Sequence, residues 1–159
     1  MADDREAKDF RSELWVWGED EPAPRLLHTM LRVKDFQESL RFYCDTLGMQ
    51  VLDRFDVESR RATGLFIGYG NYRQSALLEL TQKWDVDGYS HGDAFGHVAI
   101  GVPDLRAMVR RIEDAGYVVT DQPKVLMQGG PMVAFAKDPD GFAVELIQVQ
   151  KGQGHAGAQ

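Results

Sequence analysis

Hydrophobic and polar positions repeat themselves along this chain. Leu27-His28-Thr29-Met30-Leu31-Arg32-Val33 and, much later, His97-Val98-Ala99-Ile100-Gly101-Val102 both read as strands. Each runs into an aspartate, Asp35 or Asp104, placed to cap a helix. Glu38, three residues after Asp35, gives a capping-box pattern. Apolar residues at Phe36, Leu40, Tyr43 and Leu47 then mark one helical stripe, and Leu105, Met108, Ile112 and Ala115 mark a second. Both helices are expected to stop at a glycine, Gly48 or Gly116.

Short strands follow each helix. In the first half they are Gln50-Val51-Leu52, Thr63-Gly64-Leu65-Phe66-Ile67 and Leu77-Leu78-Glu79-Leu80-Thr81. In the second half they are Tyr117-Val118-Val119-Thr120, Met132-Val133-Ala134-Phe135-Ala136, and Phe142 to Val149. The last two are joined by Asp138-Pro139-Asp140-Gly141, where Pro presets φ and Gly permits a positive one. Each half therefore reads β-α-β-β-β, and the predicted class is α+β with two βαβββ modules, about 26–82 and 95–150. A half of this size has little core of its own, so the two are expected to pack or interlock. Residues 1–25 form an acidic arm in which Trp15 and Trp17 stand out, as indoles in an arm usually pack on something. The glycine-rich residues 151–159 read as a flexible tail in which His155 is idle.

Composition changes this picture little. The 159 residues are 43% hydrophobic and 27% charged, an ordinary globular balance. The net charge of −7 argues against a nucleic-acid or anionic-membrane partner, both of which want a basic surface. Cys44 is the single cysteine, so no internal disulfide forms. It falls within the first helix and reads as a buried, inert thiol. No apolar run reaches membrane-spanning length, and the acidic first residues lack the apolar core of a secretory signal. The expected location is the cytoplasm.

The repeat is what makes certain polar residues informative. His28 and His97 occupy equivalent points of the opening strands, and Glu79 and Glu145 equivalent points of the closing ones. A lone strand histidine is ordinarily a core or surface residue, and a lone strand glutamate ordinarily faces solvent. Here strand alternation turns Leu78, Leu80, Val144 and Leu146 away from the glutamates. A carboxylate in an apolar strand is costly unless a cation or donor meets it. Two carboxylates and two imidazoles would satisfy one divalent ion, with Ni²⁺, Co²⁺, Zn²⁺, Mn²⁺ and Fe²⁺ all suited to such ligands. Arg32 shares a strand face with His28 and can clamp a substrate carboxylate, a salt bridge to an acid being the competing role. Lys83 and Trp84 follow Glu79 closely enough to line the same pocket, and His91 lies in a glycine-rich loop before the second half.

These same stretches resemble the glyoxalase I (lactoylglutathione lyase) family of the vicinal oxygen chelate superfamily. The resemblance covers roughly residues 26–150 and is carried by the His-Thr-Met-Leu-Arg-Val block, Leu77 to Thr81, Gly96-His97-Val98-Ala99 and Asp138 to Leu146. It implies mixed sheets forming a metal-binding cup, with the pocket between modules and typically across a homodimer. It implies that His28, Glu79, His97 and Glu145 ligate one divalent ion, with Ni²⁺ or Co²⁺ favoured and Zn²⁺ as the alternative. Arg32 matches the arginine that contacts the γ-glutamyl carboxylate of glutathione. The implied reaction isomerises the hemithioacetal of methylglyoxal and glutathione to S-D-lactoylglutathione through an enediolate. Glu145 would be the base, and Glu79 a ligand and second acid or base.

Lys83 departs from the family pattern, standing where an asparagine usually precedes the tryptophan. The loop Gln128-Gly129-Gly130-Pro131 likewise lacks the lysine usual beside its glycines. The competing enzyme reading keeps fold and metal but takes a different thiol adduct or a substrate without glutathione. A binding protein that sequesters a drug in the same concavity would leave Glu79 and Glu145 without a cation.

Overall fold

A computed structural model describes residues 24–150 of the chain. The arm with Trp15 and Trp17, and the tail with His155, lie outside the described residues. The chain forms two units, one ending at Gly92 and one beginning at Asp93.

In the first unit, β1 (His28–Arg32) leads to α1 (Phe36–Leu40), then β2 (Gln50–Val57), β3 (Ala62–Gly68) and β4 (Leu77–Lys83). The sheet order is β1-β4-β3-β2, with β1 parallel to β4 and the other pairs antiparallel. Every residue of β3 is buried, as expected of an inner strand with both faces covered. The helix starts as the aspartate implied, with the Asp35 carboxylate accepting from the Gln37 N–H at 2.7 Å. Glu38 does not reach back to complete a capping box; it pairs with Arg41 at 2.7 Å, one turn on. The single helix expected as far as Leu47 is also corrected. Regular α-structure ends at Leu40, and Arg41–Thr46 widens into a π-turn in which the Leu47 N–H donates to the Phe42 carbonyl at 2.9 Å. The extra residue per turn rotates Phe42, Tyr43, Thr46 and Leu47 inward and leaves Phe36 and Leu40 half-buried. Gly48 then closes the segment with φ of 83°.

In the second unit, β5 (His97–Val102) leads to α2 (Leu105–Asp114), then β6 (Val119–Val125), β7 (Met132–Lys137) and β8 (Ala143–Gln148). The order β5-β8-β7-β6 and the parallel β5–β8 pair repeat the first sheet strand for strand. Asp104 caps α2 by accepting from the Ala107 N–H at 2.9 Å. Helix α2 packs on β6, β7 and β8, burying Leu105, Val109 and Ile112. Leu105 and Ile112 are buried as expected, but Val109 completes the stripe, while Met108 is half-buried and Ala115 exposed. Beneath the helix, Ile100, Val102, Ala134, Ala136, Val144 and Leu146 form the core. The alternate residues His97, Ala99 and Gly101 are exposed, leaving the other face of this sheet open. Strand β6 begins at Val119 rather than Tyr117 and runs on through Pro123, which an edge strand tolerates. Among the described residues no helix is long and apolar enough to cross a membrane.

Candidate metal centre

The same register builds one His–Glu pair in each unit. In the parallel β1–β4 pair His28 lies beside Leu77, so Glu79, two residues on, shares its face one step along. In the β5–β8 pair His97 lies beside Ala143, and Glu145 is again two residues on. The imidazole Nε2 of His28 sits 3.2 Å from Glu79 Oε2, and that of His97 sits 3.0 Å from Glu145 Oε2. Each glutamate also faces a phenylalanine on the antiparallel neighbour, Phe66 opposite Glu79 and Phe135 opposite Glu145. Those rings back the histidines, at centroid separations of 5.3 Å for His28 and 5.6 Å for His97.

The two halves differ in what holds them. Thr81 donates its hydroxyl to Glu79 Oε1 at 3.1 Å. The corresponding residue after Glu145 is Ile147, which has no side-chain donor, and among the described residues His97 alone partners the Glu145 carboxylate. On the far side of His28, Nδ1 lies 3.1 Å from the Tyr72 hydroxyl. Tyr72 is buried, and burial first, then the charges of Glu79 and Asp53, raises its phenol so that it stays protonated. His97 Nδ1 has no hydrogen-bond partner among the described residues, and its side chain is 44% exposed against 27% for His28. Sequence reasoning missed Phe66, Phe135, Tyr72 and Thr81. The two phenylalanines recur at matching points of the third strands and were visible in principle; Tyr72 sits in a loop and left no periodic signal.

Among the described residues no three His, Cys, Asp or Glu side chains gather to hold a metal, so each unit supplies one His–Glu pair. Arg32 lies on β1 opposite Thr81, on the face of His28, and no acid among the described residues pairs with its guanidinium. Lys83 continues the Glu79 face, but its ammonium donates to the Arg60 carbonyl at 2.6 Å. Trp84 turns to structural work: its indole N–H donates to Thr63 at 3.0 Å, and the Arg61 guanidinium lies over its ring. Cys44 is half-buried, and burial, then the charge of Asp45, pushes its thiol up to about 11.

Residues 25–146 match the Glyoxalase/Bleomycin resistance protein/Dioxygenase superfamily. The chain belongs to the glyoxalase superfamily. It is 46% identical over 123 residues to a probable lactoylglutathione lyase of Synechocystis, covering 77% of this chain and 94% of that protein. The crystal structure of glyoxalase I from Zea mays aligns with a TM-score of 0.75 at 35% identity, over 80% of this chain and 45% of the maize chain. This chain therefore spans just under half the length of that protein. A trypanothione-dependent glyoxalase I of Leishmania major aligns with a TM-score of 0.71 at 39% identity, over 79% and 86% of the two chains.

Glyoxalase membership implies a divalent metal, and the donor chemistry fits one. Each pair brings one imidazole nitrogen and one carboxylate oxygen side by side, and each histidine packs against a phenylalanine ring. An imidazole nitrogen beside a carboxylate oxygen is a donor pair that suits a divalent ion, and each unit carries one.

Proposed function

We propose that this chain is a lactoylglutathione lyase, isomerising the hemithioacetal of methylglyoxal and glutathione to S-D-lactoylglutathione. The observation that carries the reading is the duplicated His–Glu pair, set by the same strand register in both modules. His28, Glu79, His97 and Glu145 act as the four ligands of one divalent ion, Ni²⁺ or Co²⁺ in preference to Zn²⁺. Two copies of the chain form a homodimer, and the enzyme works in the cytoplasm. When bound, the ion supplies Lewis acidity that stabilises negative charge developing on the substrate oxygens.

The remaining chemistry belongs to the side chains. Glu145 takes the C1 proton of the hemithioacetal, leaving an enediolate, and returns a proton to C2, while the C1 hydroxyl proton passes to the C2 oxygen, so that no atom is gained or lost. The hydrogen bonding supports this division of labour. Thr81 restrains Glu79, which suits a fixed ligand, whereas Glu145 has Ile147 at the matching point and is freer to swing toward substrate. Arg32, with no acid beside it, clamps the γ-glutamyl carboxylate. Lys83 keeps two donors beyond the Arg60 carbonyl for the same end of the substrate.

The test is thioester formation from methylglyoxal, with and without glutathione, after loading with Ni²⁺, Co²⁺ or Zn²⁺. Glutathione-dependent turnover is expected, falling at least about a hundredfold in Glu145→Gln, as loss of a general base requires. A near-normal rate in that variant removes Glu145 from the base role. Silence under every metal favours a second reading, the same isomerisation on a different thiol adduct. Lys83 at the asparagine position and the trypanothione dependence of the Leishmania relative both point that way.

A further inference from the structure

The Tyr72 ring is among the best-fixed groups near the proposed ligands. It is 1% exposed and packs with Phe66 and Leu77 in a cluster flanked by Leu27, Leu52 and Phe55. It meets Phe66 edge to face at 5.7 Å. Its backbone is held as well, since Asn71 accepts from the Arg73, Gln74 and Ser75 N–H groups at 2.9, 2.9 and 3.1 Å. A loop tied this way around a buried ring has little freedom to move its hydroxyl.

That hydroxyl stands 3.1 Å from His28 Nδ1, on the side of the imidazole away from Glu79. An imidazole that gives its Nε2 lone pair to a metal must carry its proton on Nδ1, and a partner there fixes both tautomer and ring plane. A phenol oxygen can accept that proton's hydrogen bond, and its own O–H can rotate to donate when the tautomer is reversed. We propose that Tyr72 is the positioning residue for His28, accepting its Nδ1–H so that Nε2 points at the ion, and that it makes the first-module pair the tighter half of the centre. Among the described residues the second module has no such device: His97 Nδ1 meets no hydrogen-bond partner.

This inference rests on His28 being a ligand, and one experiment separates the two claims. Tyr72→Phe keeps the buried ring and deletes only the oxygen. Nickel affinity is measured by chelator competition on the full chain, alongside the melting temperature of the metal-free protein. Nitrogen NMR of the His28 ring is recorded in the zinc-loaded form. The expected result is a nickel Kd raised about tenfold to a hundredfold, the range for losing an outer partner of a ligating histidine. The metal-free melting temperature stays close to wild type, and the Nδ1–H resonance of His28 shifts. If wild type binds one ion and Tyr72→Phe binds it equally well, the positioning role is wrong while the metal centre stands. If wild type binds none, the function proposed above fails and this inference with it. Weaker binding matched by an equal fall in metal-free stability makes Tyr72 a packing residue only, and overturns the proposal.

Discussion

Asp138 sets the turn that delivers Glu145, and its removal has a calculable cost. The carboxylate is 4% exposed, and its Oδ1 accepts from the Asp140 N–H at 3.0 Å and the Phe142 N–H at 2.7 Å. The turn is closed by Gly141, at φ of 91°, and by a backbone hydrogen bond from Asp138 to Phe142 at 3.0 Å. Downstream, this geometry holds Glu145 opposite Phe135 and one step along from His97. Asp138→Ala leaves two backbone donors facing a partly dry turn. At about 1–1.5 kcal/mol each, the low end for an unsatisfied buried group, the loss is about 2–3 kcal/mol. In a chain of this length that lowers the melting temperature by roughly 6–9 °C. Asp138→Asn keeps an oxygen for both donors and loses only the charge assistance, about 1 kcal/mol. Urea titration followed by circular dichroism, at one fixed protein concentration, measures both. The order wild type, Asn, Ala is the expected one. An alanine variant within about 0.5 kcal/mol of wild type would show that the turn is specified elsewhere, and an asparagine as damaging as alanine would show that charge, not satisfaction, is what matters.

Other substitutions test separate links. A Cβ added at Gly64 meets the Phe55 ring at 2.3 and 2.6 Å, so Gly64→Ala should cost about 1–3 kcal/mol by overpacking, while Gly88→Ala, in open space, leaves the urea midpoint unchanged. Equal effects from the two glycines would refute the packing argument. Thr81→Val removes the hydroxyl from Glu79 at near-constant shape. Losing a part-buried charged hydrogen bond of about 1 kcal/mol should weaken nickel binding roughly fivefold in the chelator assay, and no change would mean Thr81 does not restrain the carboxylate. Cys44, with its thiol near 11 against an ordinary 9.0, should react with a thiol reagent at pH 8 about a hundredfold more slowly than in the urea-unfolded chain. Its rate should climb about tenfold per pH unit until about 11, and a plateau below pH 9 would contradict that assignment.

Much of this architecture is written in periodicity. The two opening strands, the capping aspartates and the glycine stops at Gly48 and Gly116 are local features, and local features are legible. The π-turn after Leu40 is not, because a widened turn follows from tertiary packing and leaves the apolar spacing almost unchanged. The choice of Val109 over Met108 on α2 fails for a similar reason: both positions fit a helical stripe, and only the curvature of the sheet beneath selects one. At the site, alternation and the repeat identify His28, Glu79, His97 and Glu145 as matching positions. That first and last strands pair in parallel, bringing each histidine to its glutamate, is a long-range fact that no local pattern carries. Tyr72 was further out of reach. Its partner lies 44 positions earlier, and nothing in the loop sequence distinguishes it from any buried aromatic.

The shared register explains why the two His–Glu pairs look alike, and the proposed function gives a reason for them to differ. Four identical, rigidly held ligands would bind an ion well and leave no carboxylate free to carry a proton. The proposed isomerisation asks for one carboxylate that stays and one that leaves. Among the described residues, those that could enforce such a division stand on one side: Tyr72 behind His28 and Thr81 beside Glu79. In the second module His97 Nδ1 meets no hydrogen-bond partner among the described residues, and Ile147, at the place of Thr81, offers Glu145 no donor. Grafting the restraint onto the second module by Ile147→Thr is therefore expected to hold Glu145 more firmly, raising nickel affinity while lowering kcat. A variant that binds metal more tightly and turns over as fast as wild type would break the link between restraint and role.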